Sequence, residues 1–242
     1  MYSLRSITLF VTVCGVGFAA DSSGKFTIYM SGKQIATETY SVRTADGKIT
    51  IDGSAAADLG MLKINVEQFK VVTDDKYKPL EALDKEQMGK ASRLVKATFT
   101  EDMAKAEVDT GQGPTTKEAN IHGDDVVINP NLPIFPWSML APRVKLDTTE
   151  PQQFYAYVLG QAEAPLTVTS RGKETVEFAN KTVSLSHISG SMSMPGDQKI
   201  AAEIWMDDDR RIIKAVVAAQ NIEVYQEGFE RKAPPVVKPP AP

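Results

Sequence analysis

The amino-acid sequence predicts an all-β protein: a strongly curved antiparallel sheet, or open half-barrel, of two similar halves with one short helix. Three observations predict it. Apolar and polar residues alternate with period two along most of the chain, as they do in strands with one buried face. Hairpin turn pairs such as Asp46-Gly47 separate the alternating segments. A weak internal repeat relates the halves, because an apolar strand, an acidic turn and a returning apolar strand occur at 69–80 and again at 204–213.

Composition places the chain among ordinary folded proteins. Of its 242 residues, 42% are hydrophobic, 24% are charged and 7% are aromatic, and the formal net charge is −4. These values exclude a disordered chain, a collagen and a membrane protein with several spans. The acidic balance, with no basic cluster beyond the first few residues, argues against a nucleic-acid partner. A chain of this size can fold without a disulfide bond or a metal ion, and no cofactor is expected.

The first twenty residues predict a signal peptide, and therefore export to the periplasm or secretion. Arg5 supplies a positive charge, the segment 7–18 is apolar, and Ala19 and Ala20 follow, so cleavage is expected after one of these two alanines. The apolar segment is short for a membrane crossing, and no second stretch of about 20 apolar residues occurs. The mature chain is therefore expected to contain no transmembrane span.

Cys14, the only cysteine, lies within that apolar segment. It is either discarded with the signal peptide or, if cleavage occurs after Val13, it becomes a lipidated N-terminus. On either interpretation the mature protein has no disulfide and no thiol chemistry.

Alternation places the strands in order along the chain. Tight turns are predicted at 31–33 and 46–47. In the strand predicted at 62–71, Leu62, Ile64 and Val66 occupy even positions, whereas Phe69 and Val71 occupy odd ones, so the change of phase at 67–68 predicts a β-bulge. Strands are predicted at 25–30, 34–43, 48–56, 62–71, 92–99, 103–109, 116–122, 152–159, 166–170, 175–178, 181–188, 199–206 and 212–220.

The segment 129–142 interrupts the alternation, since it holds four of the 14 prolines. Pro136 suits the first turn of a helix and Pro142 would end it, which predicts one short helix at 136–141. We expect this segment to join the two halves and to plug the concave face of the sheet. The predicted organisation is a signal peptide at 1–20, one β domain at 21–230 with halves at 24–128 and 150–227, and a proline-rich, disordered tail at 231–242.

Three strand-and-turn segments carry a resemblance to a known group. They are Phe26-x-Ile28-x-Met30-x-Gly32-x-x-Ile35, Thr73-Asp74-Asp75-x-Tyr77-x-Pro79-Leu80 and Ile204-Trp205-x-Asp207-Asp208-x-Arg210-x-Ile212. The chain resembles a group of exported bacterial domains of unknown function, which in turn resemble the LolA/LolB half-barrels. That resemblance implies a long, curved antiparallel sheet around an apolar concave face. LolA/LolB proteins carry lipoproteins across the periplasm, but they have several covering helices, whereas only 136–141 and a second candidate at 84–91 look helical here.

Aromatic residues form the clearest candidate binding site. Five of them cluster before and within one predicted strand, and an apolar concave face of this kind can hold a ligand. Packing of the plug segment into the core explains the same residues, and both interpretations stay open. His187 is added because it shares strand parity with Val183 and Leu185, which predicts an inward direction. The candidate ligand-binding residues are Phe135, Trp137, Phe154, Tyr155, Tyr157 and His187.

The remaining groups of polar residues are more typical of turns than of metal or catalytic sites. His122 lies beside two aspartates, and three aspartates occur at 207–209, but neither segment has the spacing of a known metal loop. No serine-hydrolase elbow, zinc-protease helix, phosphate loop or dinucleotide motif occurs. The expectation is therefore a protein that is not an enzyme and that holds no metal.

Three functions remain as hypotheses. The first is a non-enzymatic exported protein that binds an apolar, lipid-like or amphiphilic ligand on the concave face, against Trp137 and Tyr155. The second is a cell-envelope assembly protein that docks an envelope protein through its sheet edges and proline-rich tail. The third, a hydrolase, is remote. An apolar cavity would favour the first, a filled core with a flat exposed edge strand the second, and a cleft with convergent acids or with His187 the third.

Overall fold

Fifteen β-strands form one sheet in the computed structural model, which describes residues 21–129, 134–194, 196 and 198–232. The predicted signal peptide and the tail beyond Lys232 lie outside the described residues and stay predictions. The strands are β1 (Ser22–Met30), β2 (Lys33–Ala45), β3 (Lys48–Asp58), β4 (Lys63–Asp74), β5 (Pro79–Met88), β6 (Ala91–Phe99), β7 (Met103–Asp109), β8 (Pro114–Asn120), β9 (Val126–Asn129), β10 (Gln152–Val158), β11 (Glu163–Glu177), β12 (Thr182–Met194), β13 (Gln198–Met206), β14 (Ile212–Val217) and β15 (Ile222–Gln226).

The order of the strands forces the sheet to curl. It runs from β8 back to β1, continues through β15, and descends to β9, so the two edge strands are neighbours in sequence. Fifteen strands would extend over roughly 65 Å if they lay flat, whereas the six Cα–Cα steps from Asn120 to Val126 can bridge at most about 22 Å. The sheet is therefore strongly curved and barrel-like. It is not closed, because β8 and β9 remain at opposite ends of the hydrogen-bonded order.

Strand pairing confirms the predicted fold class. Every neighbouring pair is antiparallel except β9 with β10, which is parallel. Two runs of consecutive hairpins, β1–β8 and β10–β15, meet where β1 pairs with β15. The predicted boundary after residue 128 falls inside β9, which pairs with the second run.

Two local predictions are confirmed in detail. Asp46 and Gly47 both have positive φ angles, 51° and 70°, as the tight hairpin turn requires. The register between β4 and β5 shifts between Val66 and Gln68, which is the predicted bulge. The burial pattern changes there as well, with Ile64 and Val66 buried before the bulge and Phe69 buried after it.

Four other predictions are wrong, each for a physical reason. The candidate helix at 84–91 lies in β5 and the start of β6, because buried Asp84 and Glu86 hide the alternation that marks a strand. The predicted break between the strands at 166–170 and 175–178 is wrong, because β11 is continuous there: Gly172, with φ of 83°, absorbs a shift of register within the strand. The strands β9 and β15 were missed because each is only four or five residues long.

The two acidic turns have the same hydrogen bonds, which supports the internal repeat. Asp74 donates its backbone N–H to the carbonyl of Lys78, and Asp207 does the same to Arg211. The residue three positions after each aspartate has positive φ, 65° in one turn and 63° in the other. In both turns an aspartate Oδ1 accepts a backbone N–H four residues on, at 2.8 and 2.9 Å. The acidic pattern is therefore explained by turn geometry.

The hydrophobic core fills the inner, concave side of the sheet. Residues 134–144, named here the inner segment, contain two short 3₁₀ helices, Phe135–Met139 and Ala141–Arg143, in place of the single helix predicted at 136–141. Phe135, Met139 and Leu140 are buried in the main core cluster together with the inward residues of the sheet. The remaining 3₁₀ helices of the described chain are Gly123–Asp125 and Ala218–Gln220, and none of its helices has the length and apolar character that a bilayer crossing requires.

A smaller apolar cluster covers the outer face of β11–β15. Trp205 and Tyr225 alternate with Ile204 and Val224, which belong to the main core, so the two clusters lie on opposite faces of the sheet. The segment after β15 packs over this outer cluster, where Phe229 contacts Phe178 with ring centroids 5.1 Å apart. The members of the outer cluster are Val176, Phe178, Leu185, Trp205, Ile213 and Tyr225.

Candidate functional site

Three of the predicted ligand-binding residues are part of the core. Phe135, Phe154 and Tyr157 are at most 6% exposed. The Phe135 ring lies 6.2 Å from that of Tyr40 and 5.6 Å from that of Phe69. These aromatic side chains fill the concave side, so the core interpretation of the cluster holds for them.

Trp137 and Tyr155 are half-buried and pack against the core cluster. Tyr155 stacks on His122, with ring centroids 3.6 Å apart and planes 4° apart. His122 in turn places Nδ1 2.5 Å from Glu163 Oε2. This small group lies beside the turn that follows β8, and it fixes that turn to β10 and β11.

His187 does not join the other five residues. It shares parity with Leu185 as predicted, but that face is the outer face, so the expected inward direction is wrong. Its ring stacks on Trp205 at 4.5 Å. Nδ1 lies 3.0 Å from Glu174 and Nε2 lies 2.7 Å from Glu203. A protonated imidazole can donate to both carboxylates, whereas the neutral ring has one N–H.

Lys214 completes the outer group. Its Nζ lies 4.5 Å from the centre of the Trp205 ring, on which a cation is attracted to the π face. Burial lowers the pKa of Lys214. Trp205 Nε1 donates to Glu174 at 3.1 Å. These contacts link β11, β12, β13 and β14.

A buried carboxylate holds the inner segment against the sheet. Glu38 in β2 is fully buried, and its carboxylate accepts the backbone N–H of Ile134 at 2.9 Å and that of Phe135 at 3.2 Å. Burial raises the pKa of Glu38 to about 8, although the two N–H donors lower it in part. The carboxylate thus positions the start of the helix Phe135–Met139.

A second buried acidic group lies on the same inner face. Arg93 Nη1 donates to both Asp84 and Glu86, each at 3.0 Å. Burial first, and then the neighbouring charge of Glu86, raises the pKa of Asp84 to about 6. Asp84 Oδ1 has no hydrogen-bond partner within the described chain. One guanidinium therefore forms hydrogen bonds with two buried carboxylates.

An apolar surface that sequence reasoning missed lies at one end of the sheet. Leu59, Met61 and Leu62, in the turn between β3 and β4, are 39%, 104% and 40% exposed, and Met88 at the end of β5 is 39% exposed. These four residues are named here the apolar rim. The sequence contained a signal for this surface, because leucine and methionine are rare in hairpin turns, where polar residues are expected.

An open cleft adjoins the apolar rim. It has a volume of about 610 Å³ and lies among β2, β3, β4 and the turn after β5. Its lining combines the half-buried Ile35 and the exposed Ala56 with the buried Ala36, Ala57 and Ile64 and with several polar and charged side chains. This end of the sheet therefore combines accessible apolar side chains with a concave surface.

The sheet edges are poorly suited to strand addition. Six of the seven residues of β8 are exposed, but this edge begins with Pro114 and carries Lys117 at its centre. Proline and lysine at an edge discourage pairing with another chain. At the other edge, β9 has three buried residues, and Arg143 of the inner segment donates to the carbonyl of Val126 at 2.6 Å.

Among the described residues, no group of three or more histidine, cysteine, aspartate or glutamate side chains could hold a metal ion. Asp124 instead pairs with Lys78 at 2.8 Å, and this contact lowers the pKa of Asp124. Asp207 pairs with Arg211 at 2.7 Å. The acidic turns are thus neutralised by neighbouring cations.

Comparison with known proteins supports the fold. No family model matches the sequence, and no curated protein matches it. The crystal structure of a β-barrel-like protein of Domain of Unknown Function DUF1849 from Brucella abortus is similar, with a TM-score of 0.57 over 88% of this chain and 97% of that one, at 7% identity. A DUF1089 family protein from Pseudomonas aeruginosa matches with a TM-score of 0.47 over 94% of this chain and 100% of that one, at 13% identity. The likeness to the DUF1849 protein shows that the chain shares its fold with a β-barrel-like protein.

Proposed function

We propose that this chain is an exported, non-enzymatic protein that binds an apolar or amphiphilic ligand at the open end of its sheet. One observation carries the proposal: the apolar rim borders the open cleft. The ligand class is the one expected from the aromatic cluster in the sequence, but the location differs. The concave face cannot serve, because Phe135 and Tyr157 already fill it.

The physical argument rests on exposed apolar area. Single exposed hydrophobic residues are common, whereas a contiguous group marks a surface used for binding. Ile64 pairs with Met88 across β4 and β5, so the cleft wall and the rim are directly adjacent. Burying a fully exposed side chain such as Met61 in a complex gains about 1.5–3 kcal/mol. An amphiphile fits because its chain can cover the rim while its head remains in water.

The envelope-assembly hypothesis receives less support. It requires sheet edges that accept another strand, but β8 carries Lys117 at its centre and β9 is covered by the inner segment. Its other element, the proline-rich tail, lies outside the described residues. The hydrolase hypothesis lacks a nucleophile hydrogen-bonded to a base: His187 contacts two glutamates and no serine.

Ligand binding is tested on the mature protein purified from its own host. Native mass spectrometry followed by organic extraction should release a stoichiometric apolar species, and the emptied protein should take up a dansyl-labelled fatty acid. Ala56→Trp, on the exposed cleft wall, should reduce uptake at least tenfold. Ala201→Trp, an exposed strand position in β13, is the matched control and should leave uptake unchanged.

A clean apo mass together with no uptake would refute the ligand proposal. Equal loss of uptake in both tryptophan variants would refute the location. Export is tested separately by the N-terminal mass of the protein from its host, which should correspond to cleavage after Ala19 or Ala20. An intact N-terminus in the cytoplasmic fraction would refute export.

A further inference from the structure

The apolar rim belongs to a larger surface formed by three neighbouring hairpins. The turn at 31–32 joins β1 to β2, the turn at 59–62 joins β3 to β4, and the turn at 89–90 joins β5 to β6. Strand register places them side by side, because Ala36 pairs with Ala57. The backbone N–H of Gly89 donates to the carbonyl of Lys63 at 2.9 Å. The three turns therefore form one end face.

Exposed apolar side chains concentrate on this end face. Five large hydrophobic residues are exposed in the described part of the chain, and four of them are the apolar rim. The fifth, Met103, begins β7 at the opposite end of the sheet. Met61 is the outermost, with a side chain that touches almost nothing in the protein.

Lysines surround the apolar rim. Lys33, Lys63 and Lys90 are all exposed and lie in or next to the three turns. The one acidic residue of these turns is Asp58, whose carboxylate is 3.8 Å from Lys63. The end face is therefore net positive, although the whole chain carries a net charge of −4.

We propose that this end face docks on an anionic lipid bilayer. The apolar rim would enter the interfacial region, and the three lysines would lie at the level of the lipid phosphates. This inference extends the proposed function and rests on it in one respect: the amphiphile that enters the cleft would come from that bilayer. Hairpin turns that project from a sheet can be buried in a lipid surface, because the surface deforms around them.

Charge complementarity selects the bilayer over a second copy of this chain. A two-fold contact between two end faces would bring Lys33, Lys63 and Lys90 of one copy against the same lysines of the other. Like charges in such a contact are repulsive, whereas anionic lipid attracts each of them. The occupant is therefore a lipid surface with negative headgroups.

Docking is tested by flotation with vesicles of stated composition. The mature protein should float with equimolar phosphatidylcholine and phosphatidylglycerol, and remain at the bottom of the gradient with phosphatidylcholine alone. Met61→Ser should weaken binding about tenfold. Met103→Ser, the exposed methionine at the opposite end, is the matched control and should bind as the parent protein does.

Charge is tested by a second pair of variants. The triple change K33E, K63E and K90E should weaken binding by at least about 100-fold, since the loss of each lysine costs about fivefold near an anionic surface and each new glutamate is repelled by it. The matched control K25E, K48E and K76E changes three exposed lysines away from the end face. Circular dichroism and size-exclusion chromatography confirm that each variant folds.

Three outcomes would overturn the docking proposal. They are no flotation with anionic vesicles, equal loss of flotation in the test and control variants, and a dimer of the parent protein that Met61→Ser converts to a monomer. The fatty-acid uptake described above uses no vesicles. Uptake without flotation would therefore refute docking alone, and flotation without uptake would refute the cleft alone.

Discussion

Arg93 in β6 donates a hydrogen bond from Nη2 to the carbonyl oxygen of Leu159, 2.7 Å away and 66 residues later in the chain. The contact joins the first run of strands to the turn between β10 and β11, so a side chain links parts of the sheet that no strand pairing connects. Gly160 makes the approach possible. A Cβ at this glycine would lie 2.9 Å from Val108, and its φ is 75°.

Removal of this arginine should be strongly destabilising. Arg93→Met would leave Asp84 and Glu86 without their cation in a buried environment, at a cost of about 3–5 kcal/mol in the free energy of unfolding. Urea denaturation followed by tryptophan fluorescence measures it. Arg43→Met, at an exposed position of β2, should change the free energy by no more than about 0.5 kcal/mol. Equal stability of the two variants would contradict the role assigned to Arg93.

Stability should fall as the pH rises from about 5 to 8. Burial raises the pKa of Glu38 from 4.5 to about 8 and that of Asp84 from 3.8 to about 6. At a pH between the unfolded and the folded pKa of either group, the folded state binds more protons than the unfolded state. The free energy of unfolding therefore decreases as the pH rises, by up to about 1.4 kcal/mol per pH unit for each group. Above pH 6 only Glu38 contributes. Thermal unfolding over this interval measures the slope.

Glu38→Gln isolates that contribution. The neutral amide does not titrate, so this variant should lose most of the pH dependence between pH 6 and 8 and should keep only the part due to Asp84 below pH 6. Glu81→Gln, at an exposed position of β5, should keep the parent slope throughout. An unchanged slope in Glu38→Gln would mean that the buried carboxylate is not the titrating group.

A single methyl group should displace the inner segment. Gly53 lies under Phe135, and a Cβ there would be 2.3 Å from the carbonyl of Thr39 and 2.9 Å from the Phe135 ring. Gly53→Ala should therefore destabilise the protein by about 1–3 kcal/mol. At Gly190 a Cβ would meet its nearest atom at 3.8 Å, so Gly190→Ala should be tolerated. Comparable losses in both variants would show that the limited space between Thr39 and Phe135 does not set the cost.

The edge strand β8 should promote self-association of the protein when its central lysine is replaced by an apolar residue. Lys117→Val would present an apolar residue on an unpaired edge, and we expect self-association at micromolar concentration, detected by light scattering. Lys96→Val, at an exposed position inside the sheet in β6, should remain monomeric. A monomeric Lys117→Val would show that other features protect this edge.

Local features of the fold were predictable from the sequence. The turn at Asp46-Gly47 and the bulge near Gln68 depend on a few consecutive residues, so turn chemistry and alternation sufficed. Buried acids were not predictable, since Asp84 and Glu86 depend on an arginine in the next strand and on a turn of the other half. Their polarity made a strand look like a helix.

In the candidate site, too, some features were predictable from the sequence and others depended on tertiary contacts. Alternation places His187 on the same face as Leu185, but it does not say which face curls inward, and the predicted direction was wrong. The rim residues Met61 and Leu62 are recognisable in the sequence as an apolar turn. They form a larger apolar surface only together with Met88, which strand register brings beside them.

The sequence by itself determined an antiparallel all-β chain with its turns, its bulge and a proline-rich inner segment, because these follow from neighbours two to four residues apart. Only the tertiary structure decided that His187 lies on the outer face and that the apolar rim meets three lysines at one end. The reason is curvature. Which face of a long sheet becomes the interior depends on the pairing of β1 with β15 and on the short connection between its two edges.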